Sequence, residues 1–167
     1  MTTALQFAIE RHQGQMYGPK PYVTGHLCPV AVLVVSSGFP ELEDAAYLHD
    51  VAEDTATTIE EVQDEFGPET AVLVWAVTSE PGKNRKERHT ATYPKIARVG
   101  TKAIALKLCD RIVNVEECLA TEDAKLQMYR KEHVDFRAAL YQEDSDPRVL
   151  ALWARLDELL GGYDHEP

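Results

Sequence analysis

Apolar residues recur along most of this chain at intervals of three and four, the spacing that lines one face of an α-helix. Leu5, Ala8 and Ile9, with His12 on the same spacing, predict a first helix over residues 1 to about 13. Gly18, Pro19 and Pro21 break the pattern, so 14–24 is expected to be a loop. Residues 29–35 form an apolar run fit for a buried helix, with Pro29 in the first turn, where its missing N–H costs little. Gly38-Phe39-Pro40 ends that run, and 41–53 predicts a central helix. After a turn at 55–58, Thr57 with Glu60, or Thr58 with Glu61, has the spacing of a capping box. That helix runs to about 65 and stops at Phe66-Gly67-Pro68. The next spans 69 to about 78, with Val72, Leu73, Trp75 and Ala76 as its core face. Residues 79–88 are expected to be a loop, and 93–98 a short helix ended by Gly100. The longest helical pattern runs from 101 to about 121, through Ala103, Ile104, Leu106, Leu108, Ile112, Val115 and Leu119. Two more amphipathic helices are expected at 127–141 and 147–160, the last capped by Gly161-Gly162 ahead of a fraying tail. No alternating stretch is long enough for a strand. The reading is all-α: one helical bundle over residues 1–160 and a short tail at 161–167.

Composition narrows the function. A chain of 167 residues fits one domain with a substantial core. A net charge of −11 argues against a general nucleic-acid binder, which needs a basic face. An anionic substrate must then be held by local bases or by metal. No apolar run approaches a membrane span and no signal peptide opens the chain, so a cytoplasmic protein without a membrane partner is expected. Cys28, Cys109 and Cys118 lack CxxC spacing and read as reduced thiols packed as small hydrophobes.

The candidate chemistry centres on residues 45–55. On one helix, Asp50, Glu53 and Asp54 share a face, with His49 at its edge. Their mutual repulsion costs stability that a cation would relieve, and His with carboxylates suits Mn, Fe or Zn. The same stretch also reads as a solvated acidic face with an incidental histidine. His26 precedes one apolar run and Asp110 sits in the middle of another. Charged groups in such places are seldom buried unless paired or on a metal. Lys83, Arg85, Lys86 and Arg88 form the densest basic cluster. His12, His89 and His133 read as surface histidines, Arg111 as facing away from Asp110, and Tyr93 and Arg130 as residues that could line a pocket but are not assigned to the site.

Four segments, in order, carry a resemblance. Gly14-Gln15 with Pro21-Tyr22 and His26 resembles a GQ…PYxxH opening. Residues 48–55 resemble LHDxxEDT. Phe66-Gly67-Pro68-Glu69 with Val77-Thr78 resembles FGxxV…VT, and residues 107–114 resemble KLADRxxN. Together they span roughly 10 to 120 and resemble the HD-domain phosphohydrolases, most closely the RelA/SpoT hydrolase domain and its small stand-alone relatives. The resemblance implies an all-α HD-domain bundle with one divalent metal, commonly Mn²⁺, on His26, His49, Asp50 and Asp110. It also implies hydrolysis of a nucleotide phosphate ester or anhydride, as in (p)ppGpp 3′-pyrophosphohydrolases. Glu53 and Asp54, one turn past Asp50, are then the catalytic acid and base. Asn114, one turn past Asp110, reaches a ribose or the metal-bound water. Lys83, Arg85, Lys86 and Arg88 neutralise phosphate. Tyr17 and Lys20 stand on the substrate side.

Two departures bear on substrate. Tyr17-Gly18 occupies the place of an Arg-Lys pair that helps hold guanine nucleotide in that branch. One extra residue separates Tyr22 from His26, and Leu27 replaces a proline. The alternatives are therefore an HD phosphohydrolase acting on a dNTP, a nucleoside monophosphate or NADPH, and a non-catalytic nucleotide-binding HD module. A homo-oligomer is compatible with the sequence.

Overall fold

A computed structural model describes residues 2–143 and 145–161; Gly162 and the rest of the expected tail lie outside the described residues. Helix α1 (Ala4–Arg11) starts later than expected because Thr3 caps it: its hydroxyl accepts the Gln6 N–H while the Gln6 side chain accepts the Thr3 N–H. The expected loop contains a short hairpin, β1 (Met16–Tyr17) and β2 (Lys20–Pro21), in the register Met16↔Pro21 and Tyr17↔Lys20. A π-helical turn, Val23–Leu27, leads from it into α2 (Cys28–Ser36).

The expected central helix is broken into pieces. A 3₁₀ turn at Pro40–Leu42 precedes α3 (Glu43–Leu48), and α4 (Val51–Asp54) follows after His49 and Asp50. The break has a local cause. His49 Nδ1 lies 2.8 Å from the Ala46 carbonyl, which an unbroken helix would offer to the amide of residue 50. Leu48 and Val51 flank the break and are fully buried, which anchors it at about 1.5–3 kcal/mol each.

Thr58 with Glu61 forms the capping box of α5 (Ile59–Phe66), and Gly67 at φ +87° turns the chain into α6 (Pro68–Val77). The next helix corrects the expected loop. α7 (Arg85–Val99) begins where the Asn84 side chain accepts the Glu87 N–H, and it runs through Pro94. Arg85, Lys86 and Arg88 are therefore helical residues. Long α8 (Thr101–Ala120) is followed by α9 (Lys125–Leu140) and by α10 (Pro147–Leu159), which Asp146 caps.

Helix α8 is the spine, with Leu106, Leu108 and Ile112 fully buried and α2, α6, α7, α9 and α10 packed around it. A smaller apolar cluster (Phe7, Leu48, Val51, Val62, Val74) seats α1 and α5 against the broken helix. Val72 and Leu119, expected in the core, are 47% and 39% exposed. The three cysteines are free thiols. No described helix is long and apolar enough to cross a membrane.

Candidate metal centre

Four side chains expected as ligands meet where the π-turn, the α3–α4 break and the middle of α8 come together. His26 Nε2 lies 3.2 Å from His49 Nε2, 3.3 Å from Asp110 Oδ1 and 3.4 Å from Asp50 Oδ2. His49 Nε2 lies 3.1 Å from Asp50 Oδ2 and 3.7 Å from Asp110 Oδ1. Both histidines and Asp110 are buried, and one ligand atom from each of the three falls within 4.8 Å of the others. Each approach is set locally. At Gly25 an added Cβ would stand 3.1 Å from the Cβ atoms of both Tyr17 and Lys20, so glycine lets the hairpin lie on the π-turn without displacement. The Tyr17 ring consequently stacks on His26 at 5.1 Å between centroids.

The donor set fits a divalent cation. The Ala46 carbonyl can only accept, so His49 Nδ1 carries a proton and Nε2 is the ring atom that would offer a lone pair once a cation replaces its own proton. This is the arrangement in which a ligating histidine is oriented by a backbone carbonyl. The Nε2 of His26 and two carboxylates face the same point. Burial works against ionising Asp50 and Asp110, yet His49 beside the first and Lys107 beside the second hold both carboxyls well below the usual carboxylate range. Burial likewise opposes charge on His49, but the two carboxylates raise it well above an ordinary histidine. A centre that draws protons onto a buried imidazole is one that calls for positive charge.

Further contacts hold the ligands. The Tyr22 hydroxyl donates to Asp50 Oδ2 at 2.6 Å. Lys107 Nζ donates to Asp110 Oδ2 at 2.8 Å, and Asn114 Nδ2 donates to Asp110 Oδ1 at 2.7 Å. The Tyr17 hydroxyl donates to Asn114 Oδ1 at 2.8 Å, which ties the hairpin to α8. Asn114 thus braces Asp110 with one end and meets Tyr17 with the other.

The centre forms one wall of a strongly polar cavity of about 190 Å³. Glu53 and Asp54 stand at its mouth. Partial desolvation of Asp54, with Asp50 and Glu53 nearby, pushes its carboxyl up. The same cavity is lined by Arg85, His89, Tyr93, Lys107, Arg111 and Tyr129. Glu132 gathers the cations: Arg85 Nε reaches it at 2.6 Å and Arg111 Nη2 at 3.5 Å. His89, beside them, is lowered to about 4, by burial first and then by Arg85.

Of the expected substrate residues, Arg85 and Asn114 line this cavity, while Tyr17 touches it through His26 and Asn114. Lys20 instead pairs with Glu117 at 3.6 Å, and Lys83, Lys86 and Arg88 are exposed and do not line it. On α7 residues four apart share a face, so Arg85, His89 and Tyr93 line the cavity together while Lys86 and Arg88 do not. His89 therefore lines the cavity, contrary to the sequence reading, and Tyr93 lines it beside His89. Arg111 is also corrected: it is 4% exposed, lines the cavity and lies over the Phe136 ring at 4.5 Å. His12 and His133 are buried rather than on the surface, the first against Gln15 and Tyr22, the second against Asp157. Arg130 donates to the Leu160 carbonyl. Lys107 and Arg111 were detectable within KLCDR, as the residues flanking Asp110 on one helix. Tyr129 and Glu132 carry no sequence signal, because only the packing of α9 brings them here.

Comparison with known proteins identifies the family and the fold. The family model described as HD domain matches residues 4–140. A guanosine-3′,5′-bis(diphosphate) 3′-pyrophosphohydrolase of Aquifex aeolicus is 32% identical over 161 residues, covering 93% of this chain but 22% of that protein. The Danio rerio enzyme of the same name, MESH1, is 31% identical over 121 residues, 68% of this chain and 66% of its own length. The chain thus spans less than two thirds of either relative. Among solved structures, a metazoan ortholog of SpoT described as hydrolysing ppGpp superposes with a TM-score of 0.61 at 23% identity, over 95% of this chain and 84% of that one. The lmo0812 protein of Listeria monocytogenes gives 0.67 at 19% identity, over 81% and 93%. At these identities the two structures show a common fold.

Proposed function

The chain belongs to the HD-domain family, and from that premise we propose that it is a metal-dependent nucleotide phosphohydrolase of the (p)ppGpp 3′-pyrophosphohydrolase kind, with residues 1–160 as its one domain. The observation that carries the reading is the meeting of metal-type donors and cations in one cavity. His26, Asp50 and Asp110 line it, with His49 3.1 Å from Asp50, and Arg85, Lys107 and Arg111 line it as well. His26, His49, Asp50 and Asp110 would hold one divalent cation, for which Mn²⁺ is our choice. When bound, such a cation supplies Lewis acidity at a phosphoryl oxygen and lowers the pKa of a water.

The chain's own residues supply the rest. Glu53 takes the proton of the attacking water. The new P–O bond forms as the P–O bond to the sugar breaks, releasing pyrophosphate. Asp54, the carboxyl pushed up at the mouth, delivers a proton to the departing oxygen. Arg85, Lys107 and Arg111 meet the phosphate oxygens with charge-assisted hydrogen bonds. His89 stays neutral near pH 7 and adds a donor without a further charge. Tyr17, bonded to Asn114 where relatives in this branch have a basic residue, favours a second reading in which the nucleotide is not guanine-based.

The test is product release with Mn²⁺ across ppGpp, the dNTPs, nucleoside monophosphates and NADPH. Pyrophosphate from ppGpp is expected, and Glu53→Gln should lose turnover by at least about 100-fold, the lower end of a general-base effect. Release from another nucleotide alone would replace the substrate. No release from any, by protein shown to bind Mn²⁺, would overturn the enzyme.

A further inference from the structure

The segment between α6 and α7 makes a contact that the proposed chemistry leaves unused. Glu53 Oε2 accepts the Ser79 N–H at 3.0 Å. The carbonyl of that same peptide, Thr78 O, accepts from Lys95 Nζ at 2.9 Å. A single peptide group therefore stands between a buried ammonium and the carboxylate at the cavity mouth. We propose that Lys95 is a positioning residue for the reaction, acting on Glu53 through the Thr78–Ser79 peptide. The proposal rests on the reading of Glu53 as the base.

The geometry is specific. Lys95 is 9% exposed, pairs with Glu80 at 2.6 Å and lies 4.7 Å from the centroid of the Trp75 ring. One turn earlier on α7, the Thr92 hydroxyl accepts the Glu80 N–H at 2.9 Å. Helix α7 thus grips residues 78 and 80, one on each side of Ser79, and fixes the direction in which the Ser79 N–H points. An apolar side chain would pack at this position without the cost of burying an ammonium. What the ammonium adds is polarisation. A cation on the carbonyl strengthens the N–H of the same peptide as a donor, because linked hydrogen bonds reinforce one another, by about 10–30% each. Glu53 is an exposed side chain with freedom to rotate. Pinning Oε2 orients the carboxylate and leaves Oε1 to take the proton from water.

The experiment combines kinetics with amide NMR on the full chain. Lys95→Met should lower kcat about tenfold, a fraction of a general-base effect, on ppGpp or whichever nucleotide of the panel is turned over. KM should stay within about twofold, because no substrate contact is lost. In a Glu53→Gln background the same change should cost nothing further, since the two residues act as a unit. The Ser79 amide proton should move upfield in Lys95→Met and in Glu53→Gln, and return toward its original position in Lys95→Arg. If Lys95→Met does not fold, Lys95→Gln keeps a neutral donor of similar length and carries the same readouts. An equal kcat loss in both backgrounds, or a Ser79 amide unmoved by the loss of Lys95, would overturn the proposal. Full activity of Glu53→Gln would instead remove Glu53 as the base, while the Ser79 resonance would still report whether Lys95 polarises the peptide.

Discussion

Asp110→Asn changes one atom type in the most constrained side chain of the centre and separates fold stability from metal binding. In the native protein this carboxylate is buried, with Lys107 at 2.8 Å, Asn114 at 2.7 Å and His26 at 3.3 Å. An amide of the same size keeps the volume but strands the Lys107 ammonium. Breaking a buried pair by removing one partner costs about 3–5 kcal/mol. The Lys107 side chain is 22% exposed and reaches some water, so the lower figure of about 3 kcal/mol applies. For a chain of this size that is a fall in Tm of about 6–12 °C. Metal acts in the opposite direction. Mn²⁺ at 100 times its Kd should stabilise the native protein by about 2.7 kcal/mol, and raise Tm by about 5–11 °C. Asp110→Asn should lose that rise at the same Mn²⁺ concentration. Adding Lys107→Met removes the stranded charge, so the double variant should recover about 2 kcal/mol of metal-free stability, a coupling in the usual range for contacting residues, yet still ignore Mn²⁺. Differential scanning calorimetry with and without Mn²⁺ measures all three proteins. A native-sized Mn²⁺ shift in Asp110→Asn would remove Asp110 from the ligand set, and a double variant no more stable than the single would refute the ion-pair account.

Two further expectations test the surroundings. Tyr17→Phe deletes the hydroxyl that holds Asn114, a bond worth about 1 kcal/mol; Mn²⁺ affinity by titration calorimetry should weaken about fivefold, and an unchanged Kd would mean that Asn114 braces Asp110 unaided. His89 has a folded pKa of about 4, below that of an ordinary histidine, so between about 6.5 and 4 the unfolded chain binds a proton that the native state refuses. The stability of the native protein relative to His89→Gln should therefore fall as pH drops through that window, and urea denaturation of both proteins at pH 7 and pH 4.5 giving the same difference would contradict it.

Much of the fold was legible because helical periodicity and capping are local. The Thr58–Glu61 box, Gly67-Pro68 between α5 and α6 and the long apolar pattern of α8 each state their structure within a few residues. The break at His49-Asp50 was not legible. It arises because the His49 ring takes the Ala46 carbonyl and because Leu48 and Val51 are both claimed by the core, and neither fact is written in the spacing. The start of α7 was missed for a subtler reason: Asn84 and Glu87 are a readable cap, but the run of charges after them masks the helix.

The site divides along the same line. The sequence alone singled out the proposed donors: a histidine or aspartate beside an apolar run implies a partner, and the order of the motifs at 14–26, 48–55 and 107–114 supplied the family resemblance that names the set. Tertiary structure alone decided which cations share the cavity with those residues. Of the basic cluster only Arg85 turns inward; Arg111, Glu132 and Tyr129 join it because α8 and α9 pack side by side. Ligand identity depends on the chemistry of single residues, which a sequence displays. The composition of a cavity wall depends on the rotation of each helix about its own axis, and that angle is set only when the whole core closes.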